Sequence, residues 1–102
     1  MAVLMTLKIT GDPSRIEQAL TSDPERLAAV AERAKAKGAL HHRFYANADG
    51  SGVLVVDEWE TAEGFQQFFA ESPDIGAMMA EAGVTSEPEA SFWHPLDTPD
   101  AF

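Results

Sequence analysis

The chain has 102 residues and a mass of 11.0 kDa, with 45% hydrophobic and 24% charged residues, and folding would bury roughly 65% of its extended surface, enough for one core and one domain. It has no Cys, which rules out disulfide and thiolate chemistry. Seventeen acidic residues against 7 basic ones give a net charge of -10, a field that repels a phosphate backbone, so nucleic acid is not an expected partner.

The charge is lopsided. Residues 1–43 hold all 7 basic residues and five acids, a net +2, whereas residues 44–102 hold twelve acids and no base, a net -12. No apolar run approaches the roughly 18 residues of a bilayer helix. The N-terminal MAVLMTLKIT has no basic region before its apolar stretch and no small-residue cleavage site after it. It reads as a strand and not as a signal peptide, and a cytoplasmic protein without a membrane partner is expected.

Residues 3–10 alternate, with Val3, Met5, Leu7 and Ile9 on one face and Leu4, Thr6, Lys8 and Thr10 on the other, the period of a strand. Gly11 ends it. Asp12 before Pro13 is a helix start, because Asp accepts from first-turn amides and proline's missing donor is not needed there. The signal recurs at Asp23 and Pro24, which predicts a short helix over 13–20 and a longer one over 24–37. The longer helix carries the apolar stripe Leu27, Val30, Ala31 and Ala34, with Lys35 and Lys37 in the last turn and Gly38 as its stop.

Residues 39–47 and 52–60 are rich in aromatic and β-branched side chains and flank Ala48, Asp49, Gly50 and Ser51, the pattern of a β-hairpin. Thr61 then caps a helix bearing Phe65, Phe68 and Phe69. Ser72 and Pro73 open another, with Ile75, Met78, Met79 and Ala82 on one face and Gly83 as its end. Residues 84–94 hold a last strand, strongest over 89–94 because Pro88 interrupts its beginning. A single domain over 1–94 and an extended tail over 95–102, with two prolines and two aspartates, are expected.

The order strand, helix, strand, strand, helix, strand is the ferredoxin-like βαββαβ arrangement, an α+β fold with a four-stranded antiparallel sheet. Its helices cover one face of the sheet. The other face would carry Leu4, Thr6, Tyr45, Leu54 and Val56, too apolar to meet water. A second copy of the chain is the expected cover, giving a homodimer.

Residues 3 to about 94, and above all the segment VLVVDEWETAEGFQQFF from Val53 to Phe69, resemble the dimeric α+β barrel superfamily, within it the antibiotic-biosynthesis-monooxygenase-like group. The shared piece is a hydrophobic strand ending in an acidic residue and tryptophan, followed by a capped aromatic helix. The resemblance implies two sheets facing each other across a dimer and a pocket between helices and sheet. It also spans several activities, from cofactor-free oxygenation of aromatic polyketides to haem degradation, isomerisation and cyclisation, and proteins of no known activity. Haem-degrading members carry a histidine on the helix after the tryptophan and an asparagine in the first strand. This chain has no His between His42 and His94 and no Asn in its first strand, so haem is not expected.

With residues 48–51 as the hairpin loop, Asn47 stands opposite Gly52, so that His42 faces Asp57, Phe44 faces Val55 and Leu40 faces Trp59, all on one side. A histidine beside a carboxylate is a general-base arrangement, because the carboxylate fixes the imidazole tautomer and stabilises its protonated form. Paired polar side chains that merely satisfy each other give the same pattern. His41 and His42 are consecutive and point to opposite faces, a poor start for a metal site; no metal and no cofactor are expected. Arg43 and Glu58 fall on the other hairpin face, in a dimer contact or a surface pair. His94, on the last strand, would approach a partner's second strand if C-terminal strands exchange as the resemblance implies.

The expected function is a cofactor-free monooxygenase-like enzyme acting on a small apolar, aromatic or polyketide-type ligand, with His42 as base and Asp57 as its orienter. Trp59, Phe65, Phe69 and Met78 would line the substrate pocket. The alternative is a non-catalytic, ligand-binding or structural homodimer of the same fold.

Overall fold

The alternation of residues 3–10 becomes strand β1 (Val3–Thr10), whose odd-numbered side chains are buried. The computed structural model describes residues 2–84 and 86–102. After β1 come helices α1 (Pro13–Thr21) and α2 (Pro24–Ala36), strands β2 (Ala39–Ala46) and β3 (Gly52–Trp59), helices α3 (Ala62–Ala70) and α4 (Pro73–Glu81), and strand β4 (Glu89–Trp93). Strand order is β2-β3-β1-β4, every neighbouring pair antiparallel. That is the ferredoxin-like sheet the element order predicts.

The caps follow the sequence signals. Asp12 accepts from the Ser14 amide at 3.0 Å, Asp23 from the Arg26 amide at 3.1 Å and Thr61 Oγ1 from the Gly64 amide at 3.1 Å. Gly38 and Gly83 follow α2 and α4 with φ of 107° and 80°, the left-handed region where a Cβ is unfavourable. Ser72, by contrast, makes no capping bond. It is buried and lies 3.5 Å from Arg33 Nη2, which also donates to both carboxylate oxygens of Asp74 at 2.8 Å. One arginine of α2 therefore holds the first turn of α4.

Beneath the helices, Val3, Met5, Leu7 and Ile9 of β1 and Val53, Val55 and Trp59 of β3 meet Ile16 of α1 and Phe65 and Phe68 of α3 in one core. The α2 stripe is shallower, since Leu27, Val30, Ala31 and Ala34 are all half-buried. The opposite face of the sheet leaves Leu4, Tyr45, Leu54 and Trp93 exposed. Trp93 pairs with Leu4 across the strands and donates from Nε1 to Thr6 Oγ1 at 2.8 Å.

Two expectations are corrected. Leu40 does not face Trp59: β2 is bulged between Ala39 and His41, so Ala39 takes the position opposite Trp59 and Leu40 is left 52% exposed. The extra residue lets the hairpin register continue while the start of β2 bends away. The last strand is shorter than 84–94, because residues 86–88 carry no strand and pairing begins at Glu89, just after Pro88. Thr85, within that predicted span, lies outside the described residues. Residues 94–102 form no helix or strand.

Candidate active site

Beyond the bulge the hairpin keeps the register set by its loop, with His42 opposite Asp57, Phe44 opposite Val55 and Ala46 opposite Val53. Asp57 and Trp59 alternate on β3 and share the helix-covered face. His42 Nδ1 lies 2.6 Å from Asp57 Oδ1, and Trp59 Nε1 donates to Asp57 Oδ2 at 3.1 Å. Each carboxylate oxygen thus has its own partner, an economical way to satisfy a buried acid.

Burial grades sharply along this row. The Trp59 side chain is wholly enclosed, Asp57 is 6% exposed, and the His42 side chain is 50% exposed. Against an ionised carboxylate, which only accepts hydrogen bonds, a neutral imidazole would carry its hydrogen on Nδ1 and keep a lone pair on Nε2, on a ring open to solvent. The Phe44 ring meets that imidazole edge-on, with centroids 5.0 Å apart. The chemistry this supports is proton acceptance at Nε2, backed by a fixed charge.

Phe44 also lines a groove of about 360 Å³ between α1, the start of α2 and β2, whose apolar walls include Ile16, Leu20, Leu27 and Val53; neither His42 nor Asp57 borders it. Its lining carries one carboxylate, Glu17, and the phenol of Tyr45. The volume falls at the lower end of the range for small-molecule sites. The α1 wall is a site element that the motifs do not mark, although Ile16 and Leu20, four apart on one helical face, carry the signal.

The aromatic residues named from the sequence sit elsewhere. Trp59 packs against Phe65 and Phe68, each with centroids 5.5 Å away, and Phe65 also meets Phe69 and Phe92. In the protomer, side chains fill the space beside Trp59, and the groove is not bordered by Trp59, Phe65, Phe69 or Met78. Phe69 and Met78 are half-buried on α3 and α4. His41 and Arg43 lie on the opposite face, opposite Glu58 and Val56, and His94 is exposed just past β4. Among the described residues no three His, Asp or Glu side chains are gathered as a metal site, and no helix is long and apolar enough to cross a membrane.

No family model and no curated protein matches the sequence. Solved structures do match. SnoaB, a cofactor-independent oxygenase from Streptomyces nogalater, superposes with a TM-score of 0.65 at 15% identity over 98% of each chain. The monooxygenase from ActVA-Orf6 of Streptomyces coelicolor, solved with Nanaomycin D, gives 0.64 at 18% identity over 95% of this chain and 88% of its own. A dimeric ferredoxin-like protein from an uncultured marine organism gives 0.65 at 14% identity, covering 95% and 89%. Identities this low speak for the backbone alone, and what they establish is that this chain shares a ferredoxin-like α+β fold with these proteins.

Proposed function

We propose that the chain is a cofactor-independent monooxygenase that acts on an aromatic or polyketide-type small molecule and works as a homodimer. The observation that carries this reading is the buried Asp57 carboxylate 2.6 Å from the Nδ1 of a half-exposed His42. It is supported by the groove lined by Phe44, whose ring meets the imidazole edge-on, and by a fold shared with a cofactor-independent oxygenase and with a monooxygenase that binds Nanaomycin D.

An anthrone illustrates the reaction. Its acidic methylene gives a proton to His42 Nε2, leaving a carbanion stabilised by the flanking rings. That carbanion reduces molecular oxygen and is captured as a hydroperoxide. Loss of water then forms the carbonyl, so one oxygen atom enters the product and the other leaves with the two methylene hydrogens. The protein supplies position, an apolar wall and a base. His42 accepts the proton, Asp57 balances the charge that forms on the imidazole, and Ile16, Leu20 and Phe44 hold the rings.

The second copy covers the open sheet face, where Leu4, Tyr45, Leu54 and Trp93 are each more than a third exposed. Removing that apolar surface from water stabilises the pair by roughly 25 cal/mol per Å². Oxygen uptake with anthrones and naphthohydroquinones tests the function: turnover that disappears in His42→Ala supports it. A stable dimer that consumes no oxygen with either class favours the non-catalytic alternative.

A further inference from the structure

The pairing register lays the open face of the sheet out in rows. In the strand order β2-β3-β1-β4 they read His41, Glu58, Leu4 and Trp93; then Arg43, Val56, Thr6 and Ser91; then Tyr45, Leu54, Lys8 and Glu89. Opposite edges of this face carry opposite charge. Arg43, the last Lys or Arg of the chain, stands on β2, and Glu89, from the half that holds acids and no base, stands on β4. Both are exposed, and among the described residues neither makes an ion pair within the protomer. Strands spaced about 4.8 Å apart hold them at the two ends of the sheet. Between them lie Leu4, Leu54 and Val56, part of the apolar area that a second copy would cover.

Two sheets stacked with their strands aligned can be related by a two-fold axis in two ways. With the axis across the strands, β2 lies over the partner's β2, so that basic edge meets basic edge and acidic edge meets acidic edge. With the axis along the strands, β2 lies over the partner's β4 and every edge meets its opposite. We propose that the second copy binds in this second orientation, with Arg43 paired to Glu89 of the partner subunit on both sides of the contact. This orientation rests on the proposed use of the open face as the dimer contact and adds how the two copies lie. Such an axis keeps each row level with itself, so Tyr45 also falls over Glu89 of the partner subunit, where its phenol can donate to the carboxylate. Arg43 stands one row away, about 7 Å along the strand.

Sedimentation equilibrium of the full chain tests the arrangement. The axis repeats each contact, so one substitution acts twice. Arg43→Glu or Glu89→Arg alone should raise the dissociation constant of the dimer by about tenfold, as two exposed pairs turn repulsive. Arg43→Glu combined with Glu89→Arg keeps the net charge, restores the pairing of opposite signs and should recover the wild-type constant. Single variants that dimerise as the wild type does, or a combined variant no tighter than the single ones, overturn the proposal. If a single variant does not fold, circular dichroism of the combined variant gives the answer: recovered folding supports the orientation, and a chain that stays unfolded overturns it. Val56→Glu separates the orientation from the dimer itself. A dimer that Val56→Glu disrupts and the edge substitutions leave intact keeps the open face as the contact and discards the orientation, whereas a wild type that sediments as a single chain discards both.

Discussion

The two faces of the sheet are built from the same strands and reach opposite solutions. Beneath the helices, Val3, Met5, Leu7, Ile9, Val53 and Val55 are closed off from water, and the one acid among them, Asp57, has a partner on each oxygen. On the open face Leu4, Thr6, Leu54, Tyr45 and Trp93 are interspersed with Lys8, His41, Arg43 and Glu58, and none is fully buried. Two pairs of like residues show the contrast. His42 lies against a buried carboxylate while His41 stands across from Glu58 on the outside. Trp59 is enclosed while Trp93, with a comparable hydrogen bond to Thr6, is 54% exposed. The proposed base chemistry, which needs a fixed proton, draws on the first face, and the proposed association, which needs apolar area, draws on the second.

The paired residues give the strongest ways to break that division. His42→Ala should reduce oxygen uptake by about 10²- to 10⁴-fold, the loss expected for a general base, while circular dichroism shows a folded protein. His41→Ala should leave turnover unchanged. Equal losses in the two variants would erase the distinction between the faces.

Trp59→Ala should destabilise the fold by about 3–5 kcal/mol in urea unfolding, as a large buried side chain leaves a cavity. Trp93→Ala should cost clearly less in the protomer, because half of its side chain already meets water. On the association side, Val56→Glu places a charge in the centre of the open face and should shift the sedimenting species from about twice 11.0 kDa toward a single chain. Obligate partners often lack a stable separate state, so unfolding on dilution would also fit. A Val56→Glu variant that sediments as an undisturbed dimer would place the interface elsewhere.

The smallest effect lies outside both faces and serves as a baseline. The hydrogen bond from Arg33 holds the Asp74 carboxyl below its ordinary value of 3.8. An acid whose folded value is depressed adds stability above its unfolded value and loses it as pH falls through the folded one. The contribution of Asp74 is therefore present at neutral pH and fades below about pH 3.8. The pair is more than a third exposed, so Asp74→Asn should cost under about 1 kcal/mol at pH 7, and the cost should shrink as the pH is lowered below 3.8.

Most of this division was legible in the sequence because it depends on periods and turns. Alternation in residues 3–10 assigned the faces of β1, and a four-residue loop set the register that joins His42 to Asp57. Leu40 escaped, since an edge-strand bulge leaves no mark in the alternation that precedes it. An indole at a strand end fits a pocket wall, the role the sequence suggests for Trp59; whether the neighbouring phenylalanines close on it is decided by helix placement, which residue types do not encode. The spacing of Asp57 and Trp59, two apart on a strand, did contain their hydrogen bond.

The helix over Trp59 owes its depth to an atom that is missing. At Gly64, in the first turn of α3, an added methyl group would run into the carbonyl oxygen of Lys37 and would stand 3.5 Å from the indole of Trp59. Backbone cannot yield as a flexible side chain does, so Gly64→Ala must lift the start of α3 away from the end of α2. The size of this one residue is thus a spacer that sets the clearance above the tryptophan: with glycine the roof is shut, and with anything larger the chain would have to leave room where it now has none.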